Sequence, residues 1–198
     1  MLPEQSLGDY LTALASSRGT PGGGAAAAVT GAQAAALMSM VCNLTRNGSD
    51  ELAAARARAE TARIRFISLA ELDIVGFKAV MAAWKLRGET RSQALQAALF
   101  QACEAPLEML REAAGLIDSL AVIDREGNAN LITDTAIAAC LLESTLTAAR
   151  LNVLINTRAM ESPAAAEPIL AEVSELLGSI QKLSAMRQKI ETSLMSPA

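Results

Sequence analysis

Helical periodicity runs almost unbroken along this chain, and that pattern limits the fold more than any other feature. Apolar residues recur at helical spacing, β-type alternation is absent, and the pattern breaks only at clusters of Gly, Pro, Asn and Asp. Composition narrows the choice further. The chain is 52% hydrophobic but only 3% aromatic, so its core must be built from Ala, Leu, Ile, Val and Met with helices packed closely. The expected fold is all-α: a single domain over residues 1–198, a bundle of about six long helices. The breaks place the helices at about 4–16, with Pro3 in the first turn, about 24–46 and about 49–87. Three more follow at about 90–122 with a kink at Pro106, about 133–160 and about 163–194. The third would span roughly 55 Å at 1.5 Å per residue. A globule of this size cannot cover such a rod on every side, so part of it is expected to pack on another subunit.

Several function classes drop out on composition. With 17 basic against 21 acidic residues and a net charge of -4, the chain has no basic run or aromatic-plus-arginine platform, so nucleic acid is not an expected partner. The N-terminus lacks a signal-like apolar segment, and polar residues interrupt the apolar stretches before the ~20 residues a span needs. No membrane partner and a cytoplasmic location are therefore expected. The chain contains no histidine, which excludes a serine-histidine-acid triad and leaves a zinc site without its usual ligands. Cys42, Cys103 and Cys140 stand apart among apolar neighbours, as buried free thiols do.

Catalysis in such a chain must use carboxylates, Lys, Arg, Tyr, hydroxyls or backbone dipoles. The most informative carboxylate is Asp73, because helical spacing puts Phe66, Asp73, Phe77, Val80 and Trp84 within about 40° of one face. An acid inside an apolar stripe either has a raised pKa and moves protons, or pairs with a buried cation or caps a neighbouring helix. Lys78, Met81 and Lys85 lie on a different face, and Lys85, near the helix end, is placed to reach an anionic ligand at a subunit seam. In "GNANLITD" a turn leads into the fifth helix, where Asp134 would serve the first-turn N–H groups whether or not it also acts on a substrate. Asn152 and Asn156 follow on nearly the same face. "TPGGG" permits close backbone approach at a helix start that favours anions, or simply lets a small-residue helix pack tightly. It lacks the Gly-Lys-Ser/Thr ending of a P-loop.

Taken together, "TPGGGAAAAVTGAQAAALMSMVCNLT", "ELDIVGFKAVMAAWKL", "LQAALFQACEAPLEML" and "GNANLITDTAIAACLLESTLTAARLNVLINT" resemble one family. This is the cyclodeaminase domain of formiminotransferase-cyclodeaminase together with the stand-alone methenyltetrahydrofolate cyclohydrolases. The resemblance implies a helical homodimer joined through long helices, with a folate site near the glycine-rich turn and the subunit interface. It implies hydrolysis of 5,10-methenyltetrahydrofolate to 10-formyltetrahydrofolate or deamination of 5-formiminotetrahydrofolate, with no metal and no cofactor. The residues it points to are Asp73 and Asp134 as acid/base groups, and Pro21, Gly22, Gly23, Gly24, Lys85, Asn128 and Asn152 as substrate contacts. Two positions depart from the family. A lysine common after "NLT" is replaced by "RNGSD", and a Leu-Pro-Lys element by "LRGE" at Leu86 to Glu89, which leaves Arg46, Arg87 or Arg91 to supply the positive charge. The alternative is a catalytically altered dimer of the same fold that binds a small molecule or a protein partner.

Overall fold

A computed structural model describes residues 4–196, and all of the regular structure in them is helical. The helices are α1 (Leu7–Leu14), α2 (Gly23–Asn43), α3 (Asp50–Trp84), α4 (Gly88–Gly115), α5 (Ile117–Glu126), α6 (Ile132–Arg158), α7 (Pro163–Leu177) and α8 (Ile180–Met195). Four of them make the body: α2 packs on α3 and α6, and α4 packs on the same two from the other side. Hairpin-like links make neighbours antiparallel, so one end of the bundle gathers the start of α2, the C-terminal half of α3, the start of α4 and the end of α6. Against this body α7 lies on α4, and α8 lies on α6.

The scarcity of aromatics shows in how the helices meet. Ala25, Ala28, Ala32 and Ala35 of α2 are buried, as are Ala55, Ala59 and Ala62 of α3, so backbones approach closely where larger side chains would hold them apart. At Gly31 a Cβ would come within 2.7 Å of the Phe66 ring, so the one fully buried phenylalanine lies across a helix with no side chain beneath it. At Gly76 a Cβ would stand 3.0 Å from Ala102 Cα, which sets the spacing of α3 and α4.

Local signals explain the boundaries. Ser6 accepts a hydrogen bond from Asp9 N–H at 3.1 Å and Ser49 from Leu52 N–H at 3.1 Å, each satisfying a first-turn donor. The "RNGSD" break contains Asn47 with φ 57°, and the "RGE" break Gly88 with φ 63°. Two expected helices are each two. The helix expected at about 90–122 ends at Gly115, with Leu116 N–H bonded tightly to Ala113 O at 3.2 Å, and restarts as α5. The one expected at about 163–194 divides at Gly178–Ser179 into α7 and α8. In both cases glycine lowers the cost of leaving the helix while the apolar rhythm carries on past it. The first helix is shorter than expected, and Pro3 lies outside the described residues.

Two further expectations are corrected. Cys42 and Cys103 are buried, but Cys140 is exposed on the outer face of α6. Two helices, Gly23–Asn43 and Ala129–Arg158, are long and apolar enough to cross a membrane by length and composition, although every apolar stretch looked too interrupted. For α2 the packing accounts for this, since its alanines fill the space between α3 and α6.

Candidate active site

The start of α2 is electrostatically incomplete by itself. Gly22, its N-cap, has no side chain to accept from the first-turn amides, and the first turn carries no acidic residue. The missing acceptor comes from α3. A Cβ on Gly24 would lie 2.0 Å from Asp73 Oδ1, so the Asp73 carboxylate occupies the volume that a side chain at residue 24 would need. The glycine is there because the acid is there.

Asp73 is half-buried, and among the described residues no cation pairs with it. Burial pushes its pKa above the ordinary 3.8, while the Ala25 backbone amide pulls the other way without cancelling the rise. Its surroundings form a cavity of about 440 Å³. Gly22, Gly23 and Gly24 make one wall, while Phe77, Val80, Met81 and Trp84 from α3 make the apolar side. Asn152, Ile155 and Asn156 from α6 face them. Of the predicted stripe, Asp73, Phe77, Val80 and Trp84 reach the cavity, and Phe66 goes instead to the core beneath Gly31. Met81, assigned by angle to another face, joins them.

The two asparagines show how the polar wall is held. Asn152 Nδ2 donates to Ala148 O on its own helix at 2.9 Å. Asn156 Nδ2 donates to Ala102 O on α4 at 3.0 Å. That carbonyl is the one left without a helical partner by Pro106, which has no N–H to give it. The proline and the asparagine therefore compensate one another across the bundle. With their amide nitrogens engaged, Oδ1 of each residue has no donor among the described residues and remains an acceptor in the cavity.

The predicted site residues divide into two groups. Asp73, Gly22, Gly23, Gly24 and Asn152 come together. Pro21, which follows a cis peptide bond, lines a smaller neighbouring pocket with Tyr10 and Arg18. Lys85 caps the end of α3, is exposed, and stands next to the rim rather than in the wall. Asn128 and Asp134 are at the far end of the bundle. Asn128 accepts from Asn130 N–H at 3.1 Å, donates through Nδ2 to Leu44 O at 3.0 Å, and its backbone N–H reaches Thr45 Oγ1 at 2.9 Å. It thus locks the end of α2 to the turn before α6. Asp134 and Asn152 lie on one straight helix, roughly 27 Å apart at 1.5 Å per residue. Within one copy they cannot share a ligand. Among the described residues no group of three or more Cys, Asp or Glu side chains is arranged to hold a metal ion.

The sequence profile of formiminotransferase-cyclodeaminase matches residues 6–175. The chain belongs to the formiminotransferase-cyclodeaminase family. Within it, the chain is 33% identical to a methenyltetrahydrofolate cyclohydrolase of Methylorubrum extorquens, over 99% of both proteins. It is also 33% identical to the formimidoyltransferase-cyclodeaminase of Rattus norvegicus, matching with 88% of its own length but 36% of that longer protein. Its fold superposes on the crystal structure of formiminotetrahydrofolate cyclodeaminase from Thermotoga maritima with a TM-score of 0.91 and 30% identity, over 99% of this chain and 100% of that one. The family match spans the glycine turn, Asp73 and both asparagines of the cavity.

Proposed function

We propose that the chain is an enzyme of folate one-carbon metabolism that acts on the carbon unit carried between N5 and N10 of tetrahydrofolate. It opens the methenyl bridge of 5,10-methenyltetrahydrofolate with water, or closes that bridge from 5-formiminotetrahydrofolate with loss of ammonia. The observation that carries this reading is Asp73: an unpaired, desolvated carboxylate in an apolar-walled cavity that opens at a helix start. Both reactions need a group that takes a proton from an attacking nucleophile and returns one to a leaving nitrogen. A carboxyl group with a raised pKa does both. Its negative charge also favours the cationic methenyl bridge over the neutral product, so proton transfer to Asp73 and loss of the substrate's charge proceed together. The Oδ1 atoms of Asn152 and Asn156 suit the N–H donors of a pterin, and the Gly23 and Gly24 amides, which lie ahead of the Ala25 amide that Asp73 takes, suit its carbonyl oxygen. No step in this scheme calls on a metal or a redox cofactor.

A homodimer completes the reading. Ile137, Leu141, Ser144, Ala148, Leu151 and Ile155 repeat along α6 at alternating steps of four and three, with Ile137, Leu151 and Ile155 strongly exposed. Such a stripe is the seam of a helix that pairs with another. Antiparallel pairing of two α6 helices about a two-fold axis near Thr145 sets Asp134 of a second copy beside Asn156, which gives this half-buried first-turn acid a place at the cavity. A cytoplasmic location fits the folate pools this chemistry uses. The test follows methenyltetrahydrofolate absorbance and ammonia release with purified wild-type protein and Asp73→Asn. Neither activity above the buffer background in the wild type, or a wild-type rate in the variant, would overturn the assignment.

A further inference from the structure

We propose that Arg91 is the specificity-determining residue of this cavity. It receives the carboxylate tail of a ligand whose ring system lies beside Asp73. The proposal rests on the folate reading above and names the part of the substrate that this residue recognises.

Four arginines are half-buried among the described residues: Arg58, Arg65, Arg91 and Arg187. Three have carboxylate partners, Arg58 with Glu112 at 2.8 Å, Arg65 with Glu108 at 3.4 Å and Arg187 with Glu191 at 2.8 Å. Arg91 has none among the described residues. Its guanidinium lies over the Trp84 ring instead, with Cζ 4.4 Å from the ring centroid. A partly desolvated charge without a counter-ion is a standing cost that a bound anion would remove. Stacking uses the flat face of the guanidinium and leaves its N–H edge free, the edge that grips a carboxylate with two parallel hydrogen bonds.

Its position suits that task. Trp84 is both the floor under Arg91 and a wall of the cavity. Phe77, Met81 and Trp84 line the cavity and remain well exposed, so they form its mouth. A space of about 440 Å³ is at the small end of the ~300–1,000 Å³ range of ligand pockets, so a long ligand leaves its tail outside. That tail passes Trp84 and meets a positive turn, since Lys85 and Arg87 are exposed beside it. The nearby acids do not neutralise Arg91. Glu161 accepts from Ser92 Oγ at 2.6 Å, and Glu89 is exposed in the first turn of α4 without pairing to Arg91. Arg46, another basic residue in question, is in the far cleft with Asn43 and Asn128.

Trp84 is the only tryptophan in the chain, so its fluorescence reports directly on the site. Full-length wild type, Arg91→Ala, Arg91→Gln and Arg91→Lys would each be titrated with 5-formyltetrahydrofolate and with 5-formyltetrahydropteroylamide, which lacks the glutamate and carries no carboxylate. The wild type should bind the glutamate-bearing ligand ~10-fold or more tighter, the scale of a hydrogen bond to a charged group. That ratio should fall to near one in the Ala and Gln variants and return in part with Lys, which keeps the charge but not the fork. An unchanged ratio in Arg91→Ala and Arg91→Gln, or equal weakening of both ligands, would overturn the proposal and leave Arg91 as a support for the Trp84 wall. Wild-type protein that binds neither ligand would overturn the folate reading as well.

Discussion

The two ends of α2 carry similar chemistry and put it to opposite use. At its C-terminal end the carbonyl of Leu44 and the Thr45 hydroxyl are met by Asn128, whose own amide groups are all engaged. At its N-terminal end the amides behind Gly22 meet a carboxylate buried among apolar side chains, and two asparagine oxygens face the same space unmatched. The first end is saturated and holds the α5–α6 turn in place. The second is left incomplete around a cavity, at a cost to stability that a bound ligand offsets. Polar residues in a turn thus mark function only where their hydrogen bonds are left open.

Asp73→Asn tests that contrast most severely. It should lower the rate of the chemical step by ~10²–10⁴-fold, the usual loss of a proton-transfer group. Mixing Asp73→Asn with Asp134→Asn protein should restore about a quarter of wild-type activity if a second copy supplies Asp134, because half of the dimers are then mixed and one of their two sites is intact. No recovery would confine the chemistry to one end of one copy. The pH dependence follows from the raised pKa. Asp73 must be ionised to accept a proton, so hydrolysis should fall as pH drops through a value above the ordinary carboxylate range. Stability should run the other way. Above pH 3.8 the unfolded chain loses this proton while the folded chain still holds it, so wild-type stability declines as pH rises through that window. Asp73→Asn should accordingly melt higher than wild type above the window and equally below it.

Two glycine substitutions sharpen the comparison between site and core. Gly24→Ala puts a methyl where the Asp73 carboxylate lies. That flexible group can swing aside, so the protein should fold with little change in melting temperature but lose ~10²-fold in kcat/KM through misplacement of the acid. Gly31→Ala meets the enclosed Phe66 ring at 2.7 Å, which cannot move away, and should cost ~1–3 kcal/mol in chemical denaturation. At the saturated end, Asn128→Ala removes two side-chain hydrogen bonds and should cost ~1–3 kcal/mol, with the α5–α6 turn exchanging its amide hydrogens faster.

The helix-forming pattern was legible because its period is local: a reader can place Asp73, Phe77, Val80 and Trp84 on one face from spacing alone. The start of α2 was legible as a glycine turn, but not its reason, since the contact between Gly24 and Asp73 joins residues from two helices. The breaks at Gly115 and Gly178 were hidden because apolar residues keep helical spacing on both sides of them. Asp134 and Asn128 stood out by residue type, yet the length of α6 already separated Asp134 from Asn152. Residue type drew attention to both ends of the bundle, and only packing distinguishes them.

The smallest effect tests a partnership that spacing could not reveal. Pro106 leaves the Ala102 carbonyl without its helical donor, and Asn156 supplies one from α6 at 3.0 Å. Asn156→Ala should cost ~1–3 kcal/mol, because it strands a buried acceptor as well as losing one hydrogen bond. Pro106→Ala restores a backbone N–H four residues beyond Ala102, so in that background Asn156→Ala should cost measurably less. A double-mutant cycle read by urea denaturation gives the difference directly, and a coupling of ~0.5 kcal/mol or more is expected for residues that share a partner. Zero coupling would mean that α4 satisfies this carbonyl without α6. Asn156 would then be free in both of its amide groups, and only Asn152, held by Ala148 O, would keep the polar wall opposite Asp73 ready before a ligand arrives.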